Sequence, residues 1–183
     1  LIMQTEEHSS LSGSKFIITI CAMLGSLMAV LDISIVNVAL NDIRSSFGVG
    51  IDQIAWVSTG YMMANVIVIP LTGWFQKRLG LVNYYVISLC IFTCASLLCG
   101  LSWNLESMTF FRILQGMGGG AIIPTASTIL IARYPRKDQG MAQAFIGLGA
   151  ISGPLLGPSL GGYLIDIFSW HMIFLINIPF GIL

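Results

Sequence analysis

The chain has 183 residues, of which 56% are hydrophobic and 9% are charged, and its formal net charge is zero. Soluble domains carry roughly 25% charged residues, so this composition is typical of a membrane protein. The absence of net positive charge argues against a nucleic-acid partner, because nucleic acids select basic surfaces. Composition implies no cofactor, and we expect neither a cofactor nor a metal site.

Five stretches are long and apolar enough to cross a bilayer as helices, since each has about the 20 residues that a span requires. They cover residues 16–40, 54–75, 82–101, 107–132 and 141–165. A sixth stretch, 172–183, is too short to cross, and the chain begins with Leu1 rather than Met. These features predict the N-terminal fragment of a larger membrane protein.

The segment before the first span is polar and rich in serine, which predicts a short, flexible cytoplasmic tail over residues 1–14. The transmembrane domain would then cover residues 15–183. The apolar run after Lys15 exceeds the core of a signal peptide, and no A-x-A-like cleavage site follows it. We therefore interpret this run as the first transmembrane helix.

Basic residues are concentrated in alternate loops, the pattern that sets the orientation of membrane proteins. Six of them precede the first span or follow the second and fourth: Lys15, Lys77, Arg78, Arg133, Arg136 and Lys137. The loops on the opposite side hold only Arg44. This distribution predicts a multi-pass protein whose N-terminus is cytoplasmic.

Two charged residues lie clearly inside the apolar spans, Asp32 in the first and Arg112 in the fourth. A charge within a membrane is costly and usually marks an ion, proton or substrate pathway. At 1.5 Å per residue, Asp32 lies roughly 12 Å and Arg112 roughly 8 Å below the outer surface. These heights allow an ion pair or a shared polar network. The alternatives are a purely structural salt bridge, or an Arg112 side chain that extends to the outer interface.

Glycines recur at four-residue spacing along the fifth span, and two prolines lie among them. They are Gly149, Gly153, Gly157 and Gly161, with Pro154 and Pro158. Such a small-residue stripe allows close approach of another helix, and each proline bends its own helix. The pattern suits a helix that acts as a gate or pivot, and it equally suits ordinary tight packing.

Several segments resemble motifs of the major facilitator superfamily, in particular its fourteen-helix drug:proton antiporters of the EmrB/QacA type. The resembling segments are residues 31–40 in the first helix, 112–116 in the fourth, 149–162 in the fifth and 170–181 at the entry to the sixth. The loop after the second span is similar to the superfamily pattern G-x-L-A-D-R-x-G-R-K. It keeps Gly73, Arg78 and Gly80, whereas Lys77 stands in place of the acidic residue.

The resemblance implies an all-α integral membrane fold, the N-terminal half-domain of this superfamily with five full transmembrane helices plus a truncated sixth. It implies a transporter rather than an enzyme. This transporter would export lipophilic drugs across the inner membrane by alternating access. The proton gradient would drive export without a cofactor. Asp32 and Arg112 would then be the proton-coupling residues.

Further roles are assigned from these motifs and from side-chain chemistry. The expected substrate-pathway residues are Asn37, Gln115, Gly116, Met28, Met62 and Met63, the methionines because their flexible side chains suit promiscuous binding. For each methionine taken singly, core packing is favoured over a role in the pathway. The expected conformational or gating residues are Gly73, Arg78, Gly80, Gly149, Gly153, Pro154, Gly157, Pro158, Gly161 and Gly162.

Membership of the EmrB branch would further imply a periplasmic membrane-fusion protein and an outer-membrane channel as partners. Two other functions remain open at this point. One is a dedicated exporter of a metabolite, fatty acid or siderophore. The other is a non-transporting membrane sensor or scaffold on the same fold.

Overall fold

The computed structural model describes the backbone of residues 2–182 and the side chains of residues 15–182. Seven helices make up this described part: α1 (Ile2–Phe47), α2 (Ile51–Leu79), α3 (Leu81–Gly100), α4 (Leu105–Arg133), α5 (Gln139–Ile167), α6 (Met172–Leu175) and α7 (Asn177–Ile182). The first five are long and apolar enough to cross a membrane, α1 over Lys15–Phe47. The five predicted spans are therefore confirmed as helices of a multi-pass membrane protein.

Helix α1 ends later than predicted, at Phe47 instead of Leu40. Polar residues after Leu40 end the apolar run, but they do not end a helix. The helix stops at Gly48, whose φ of 65° is a left-handed conformation that favours glycine. Gly48 N–H donates to Ser45 O and Val49 N–H donates to Arg44 O, which caps the last carbonyl groups.

At its other end, α1 begins at Ile2, so its backbone is helical where a flexible tail was expected. Residues 2–14 contain no proline, and nothing in their backbone chemistry forces a break before the apolar run. The side chains of residues 1–14 lie outside the described residues. The cytoplasmic position of this segment stays a prediction.

The sixth apolar stretch begins at Met172 as expected, but Ile176 separates it into α6 and α7. Pro179 accounts for the interruption. In a continuous helix its nitrogen would donate to the carbonyl of Leu175, which proline cannot do, and its ring would clash with that carbonyl. In α7 the same proline lies in the first turn, where the N–H groups have no partner within the helix.

Helix α4 lies in the middle of the helices and packs on α1, α2, α3 and α5. Its glycines permit this. A Cβ atom at Gly118 would lie 2.6 Å from Ser88 O on α3, and one at Gly120 would lie 2.9 Å from Asn65 Cα on α2. Gly118 and Gly120 therefore let the backbones of α3 and α2 approach α4 closely from two sides.

The glycine stripe of α5 packs against α1. A Cβ atom at Gly149 would lie 2.7 Å from Met23 O, and one at Gly153 would lie 2.9 Å from Leu31 N. At Gly162, by contrast, an added Cβ would meet nothing within 4 Å. The stripe thus holds α5 tightly on the helix that carries Asp32, whereas its predicted role in gating stays a prediction.

We expect Gly153→Ala to lower the thermal stability of the detergent-purified protein, at a cost of roughly 1–3 kcal/mol for overpacking. The new methyl group would lie against the backbone of α1, which can yield only if the two helices separate. Gly147→Ala, on the same helix with open space around its Cβ position, is the matched control and should leave the melting temperature unchanged or slightly raised. Equal melting temperatures for both variants would contradict the close packing of α5 on α1.

Candidate functional site

Asp32 and Arg112 form a buried ion pair between α1 and α4. Arg112 Nη1 donates to Asp32 Oδ2 over 2.6 Å. Asp32 is 0% exposed and Arg112 is 1% exposed. The expected pairing is therefore present, and the alternative in which Arg112 extends to the outer interface is wrong.

The guanidinium group of Arg112 is enclosed by three further groups. Its Nε donates to Val57 O on α2 over 3.4 Å. Its Cζ lies 4.2 Å from the ring centroid of Tyr61 and 5.9 Å from that of Phe174. The aromatic faces attract the cation in a setting that excludes water, which favours the orientation of Arg112 toward Asp32.

Gln115, three residues after Arg112 on the same face of α4, contacts both members of the pair. Its Nε2 donates to Asp32 Oδ1 over 2.9 Å, and its Oε1 accepts from Arg112 Nη1 over 2.7 Å. Gln115 is among the residues predicted from the sequence to line the substrate pathway. The side chain is 0% exposed and belongs to the polar network around Asp32, and its role in the substrate pathway stays a prediction.

Asn177 and Ser96 complete the network, and sequence analysis gave neither of them a role. Asn177 Nδ2 donates to Asp32 Oδ1 and to Ser96 Oγ, each over 3.0 Å. Ser96 Oγ in turn donates to Phe174 O over 2.9 Å. Asn177 was visible as the one polar side chain between Met172 and Leu183. The packing of α7 against α1 and α3 was not visible.

The carboxylate of Asp32 thus accepts hydrogen bonds from three side chains, Arg112, Gln115 and Asn177. A buried ion pair is stable only when its remaining polar atoms are also satisfied, because desolvation of the two charges is expensive. This arrangement meets that condition for the ionised carboxylate.

The other expected pathway residues lie outside this network. Asn37 Oδ1 accepts from Ser58 Oγ over 3.2 Å on the exposed side of α1. Met62 and Met63 lie on the exposed face of α2, 47% and 53% accessible. Met28 is only 1% exposed and packs in the hydrophobic core. Gly116 packs against the Tyr61 carbonyl, and Met28 also borders an apolar cavity between α1 and α5. The pathway role of both residues stays a prediction.

Three of the expected conformational or gating residues, Gly73, Arg78 and Gly80, lie at or just after the end of α2. Gly80 ends this helix with a φ of 82°, and Gly73 has open space at its Cβ position. The guanidinium carbon of Arg78 lies 5.2 Å from the Trp74 ring centroid. Among residues 15–182 the structure has one salt bridge, Asp32–Arg112, so the basic side chains of this loop have no acidic partner there.

Known proteins resemble this chain along nearly its whole length. The multidrug export protein EmrB of Haemophilus influenzae is 39% identical over 170 residues, 93% of this chain. The fatty acid resistance protein FarB of Neisseria gonorrhoeae is 40% identical over 166 residues, 91% of this chain. The chain spans about a third of the length of these curated relatives, 33% of each.

The fold is also found among solved structures. The inward-open xylose transporter XylE from E. coli superimposes with a TM-score of 0.81 at 16% identity, over 92% of this chain and 46% of that one. At this identity the likeness shows the fold alone. Residues 22–183 match the sequence profile of the Major Facilitator Superfamily. Because this match covers most of the chain and the helical fold agrees with it, the chain belongs to the Major Facilitator Superfamily.

Proposed function

We propose that the transporter containing this chain exports lipophilic drugs in exchange for protons, by alternating access across the cytoplasmic membrane. The observation that carries this proposal is the buried Asp32 carboxylate, held by donors from α4 and α7 inside apolar helices. Ionisable residues at such depth belong to ion and proton pathways in transporters. The printed names of the EmrB relatives support drugs as the substrate class.

Asp32 acts as the proton carrier in this mechanism. When the cavity opens outward, the carboxylate takes up a proton and the drug leaves. When the cavity opens inward, the proton leaves and a new drug binds. The ionised form is stabilised by Arg112, and a proton on Asp32 removes the charge that Arg112 faces. Because the partners come from other helices, the change of charge biases how those helices pack.

Helix packing suggests which elements move as one body. The glycine stripe fixes α5 on α1, so a shift of α1 carries α5 with it. The exposed Met62 and Met63 on α2 supply flexible apolar contacts for chemically diverse compounds. We expect the rest of the transporter to supply the opposite wall of the cavity.

The basic residues in alternate loops support a cytoplasmic N-terminus in this proposal. A fourteen-helix topology, a periplasmic membrane-fusion protein and an outer-membrane channel follow from the EmrB resemblance and stay predictions. Cross-linking of the transporter to a co-purified periplasmic protein would test the partner.

Asp32→Asn should abolish proton-driven drug efflux, because an amide cannot take up and release a proton at neutral pH. Efflux of a fluorescent drug from cells or proteoliposomes, driven by an imposed pH gradient, measures this. Asp42→Asn removes an exposed carboxylate on the same helix and is the matched control. Undiminished efflux by Asp32→Asn, with normal protein levels in the membrane, would overturn the proposed role of Asp32.

Arg112→Lys should lower the efflux rate by about tenfold or more, since lysine keeps the charge but cannot reproduce the guanidinium contacts. The native group bonds Asp32, Gln115 and the Val57 carbonyl at once. Arg133→Lys, an exposed position at the end of the same helix, should transport like the wild type. Wild-type rates for Arg112→Lys would show that only the charge matters.

A dedicated exporter of fatty acids is the second candidate, because FarB is as similar to this chain as the drug exporters are. Competition assays separate the two functions. A multidrug pump should be inhibited by structurally unrelated lipophilic cations and by fatty acids alike. A dedicated exporter should respond to fatty acids alone.

A further inference from the structure

Of the two polar atoms in the Asn177 amide group, only Nδ2 forms hydrogen bonds within the described residues. Its Nδ2 donates to Asp32 Oδ1 and to Ser96 Oγ. Its Oδ1 is buried and has no hydrogen-bond partner among residues 15–182, although a buried carbonyl oxygen without a partner is costly. The acceptor capacity of Asn177 is thus unused while Asp32 is ionised.

The other acceptor side chains of the network are already occupied. Gln115 Oε1 accepts from Arg112 Nη1 over 2.7 Å and from Cys99 Sγ over 3.6 Å. Ser96 Oγ accepts from Asn177 and donates its own hydrogen to Phe174 O. A proton that arrives on Asp32 Oδ1 therefore has one free side-chain acceptor in this network, the carbonyl oxygen of Asn177.

We propose that Asn177 is a positioning residue that reads the protonation state of Asp32. It donates to the carboxylate and, after its amide has rotated by half a turn, accepts from the carboxylic acid. The proton stays on Asp32 Oδ1, and the resulting O–H group donates a hydrogen bond to Asn177 Oδ1. Arg112 Nη1 keeps its hydrogen bond to Asp32 Oδ2. This inference rests on the proposed function, in which Asp32 takes up and releases a proton.

Rotation of the amide also changes the hydrogen bonds of Ser96. Asn177 Oδ1 would then face Ser96 Oγ, so the serine hydroxyl would turn from Phe174 O to Asn177. Phe174 belongs to α6 and Asn177 begins α7, on either side of the interruption at Ile176. Protonation of Asp32 would thereby alter the bonds on both sides of the break in the sixth stretch.

The charge of Asp32 decides which orientation of Asn177 is favoured. With an ionised carboxylate, rotation would turn Asn177 Oδ1 toward an oxygen that carries negative charge, so the donating orientation is favoured. With a proton on Asp32 Oδ1, the accepting orientation gains a hydrogen bond, at the expense of an unpaired Nδ2 group and of the Ser96 bond to Phe174 O. A single proton therefore shifts the balance between the two orientations.

Few other ionisable groups can influence this equilibrium. Within the described part of the chain, Arg112 on α4 pairs with Asp32, Tyr61 on α2 lies against Arg112, and Cys99 on α3 donates to Gln115. The helices α6 and α7 contain no ionisable residue, and Tyr163 and Asp166 of α5 are exposed. If the pH response of Asn177 disappears in the Asp32→Asn variant, the response is therefore assigned to protonation of Asp32.

Infrared difference spectroscopy of the purified transporter during acidification tests the proposal. In the wild type, a carboxylic acid band that is lost in Asp32→Asn should appear together with a change in an asparagine side-chain carbonyl band. Labelling asparagine with ¹³C at that carbonyl identifies the second band. In Asn177→Leu the acid band should move to higher frequency, because its O–H group has lost an acceptor.

Transport supplies a second readout. Asn177→Leu should lower the maximal rate of proton-driven efflux on the order of tenfold, with unchanged affinity for the drug. Thr93→Val is the matched control, because Thr93 Oγ1 is also buried and unpaired and lies on α3 beside Gly181 of α7. This control should keep both the acid band and the wild-type efflux rate.

The outcomes separate the inference from the proposed function. An Asp32-dependent acid band without any change in the labelled asparagine carbonyl overturns the role of Asn177. That measurement uses the wild type and Asp32→Asn alone, so it stands even where Asn177→Leu does not fold. Wild-type efflux by Asp32→Asn overturns the proposed function instead, whatever the asparagine band does.

Discussion

The buried carboxylate of Asp32 is the constraint on which the site depends. An ionised group without water must find its donors in the protein, or the helices that bury it cannot pack. Asp32 finds three, Arg112 and Gln115 on α4 and Asn177 on α7. The relative positions of α1, α4 and α7 are therefore tied to one side chain, and a change in its charge acts on all three.

Close packing makes this site possible. Glycines on α4 let the backbones of α2 and α3 approach it, which brings Tyr61 beneath Arg112 and Ser96 beside Asn177. The glycine stripe of α5 in turn supports α1 from the side opposite the network. The same small residues that appear in the family motifs thus have a direct packing role, independent of any motion that they allow.

Hydropathy and residue type were enough to predict the five spans and to indicate that Asp32 and Arg112 are able to pair. They were not enough for the end of α1, since a helix continues past its apolar part until a residue such as Gly48 stops it. They also did not show that Gln115 contacts Asp32. A side chain's depth in the membrane follows from its position in the span, whereas the direction in which it points depends on the neighbouring helices.

The sequence alone determined that this is a helical membrane protein with two charged residues, Asp32 and Arg112, inside its apolar spans, where a charge is costly. It also displayed Asn177 as a lone polar side chain in an apolar stretch. Only the tertiary structure brought Asn177 to Asp32, 145 positions earlier in the chain. The physical reason is that the cost of burying a polar group is a local property of the sequence. The partner that offsets this cost is decided by which helices meet and at what rotation about their axes.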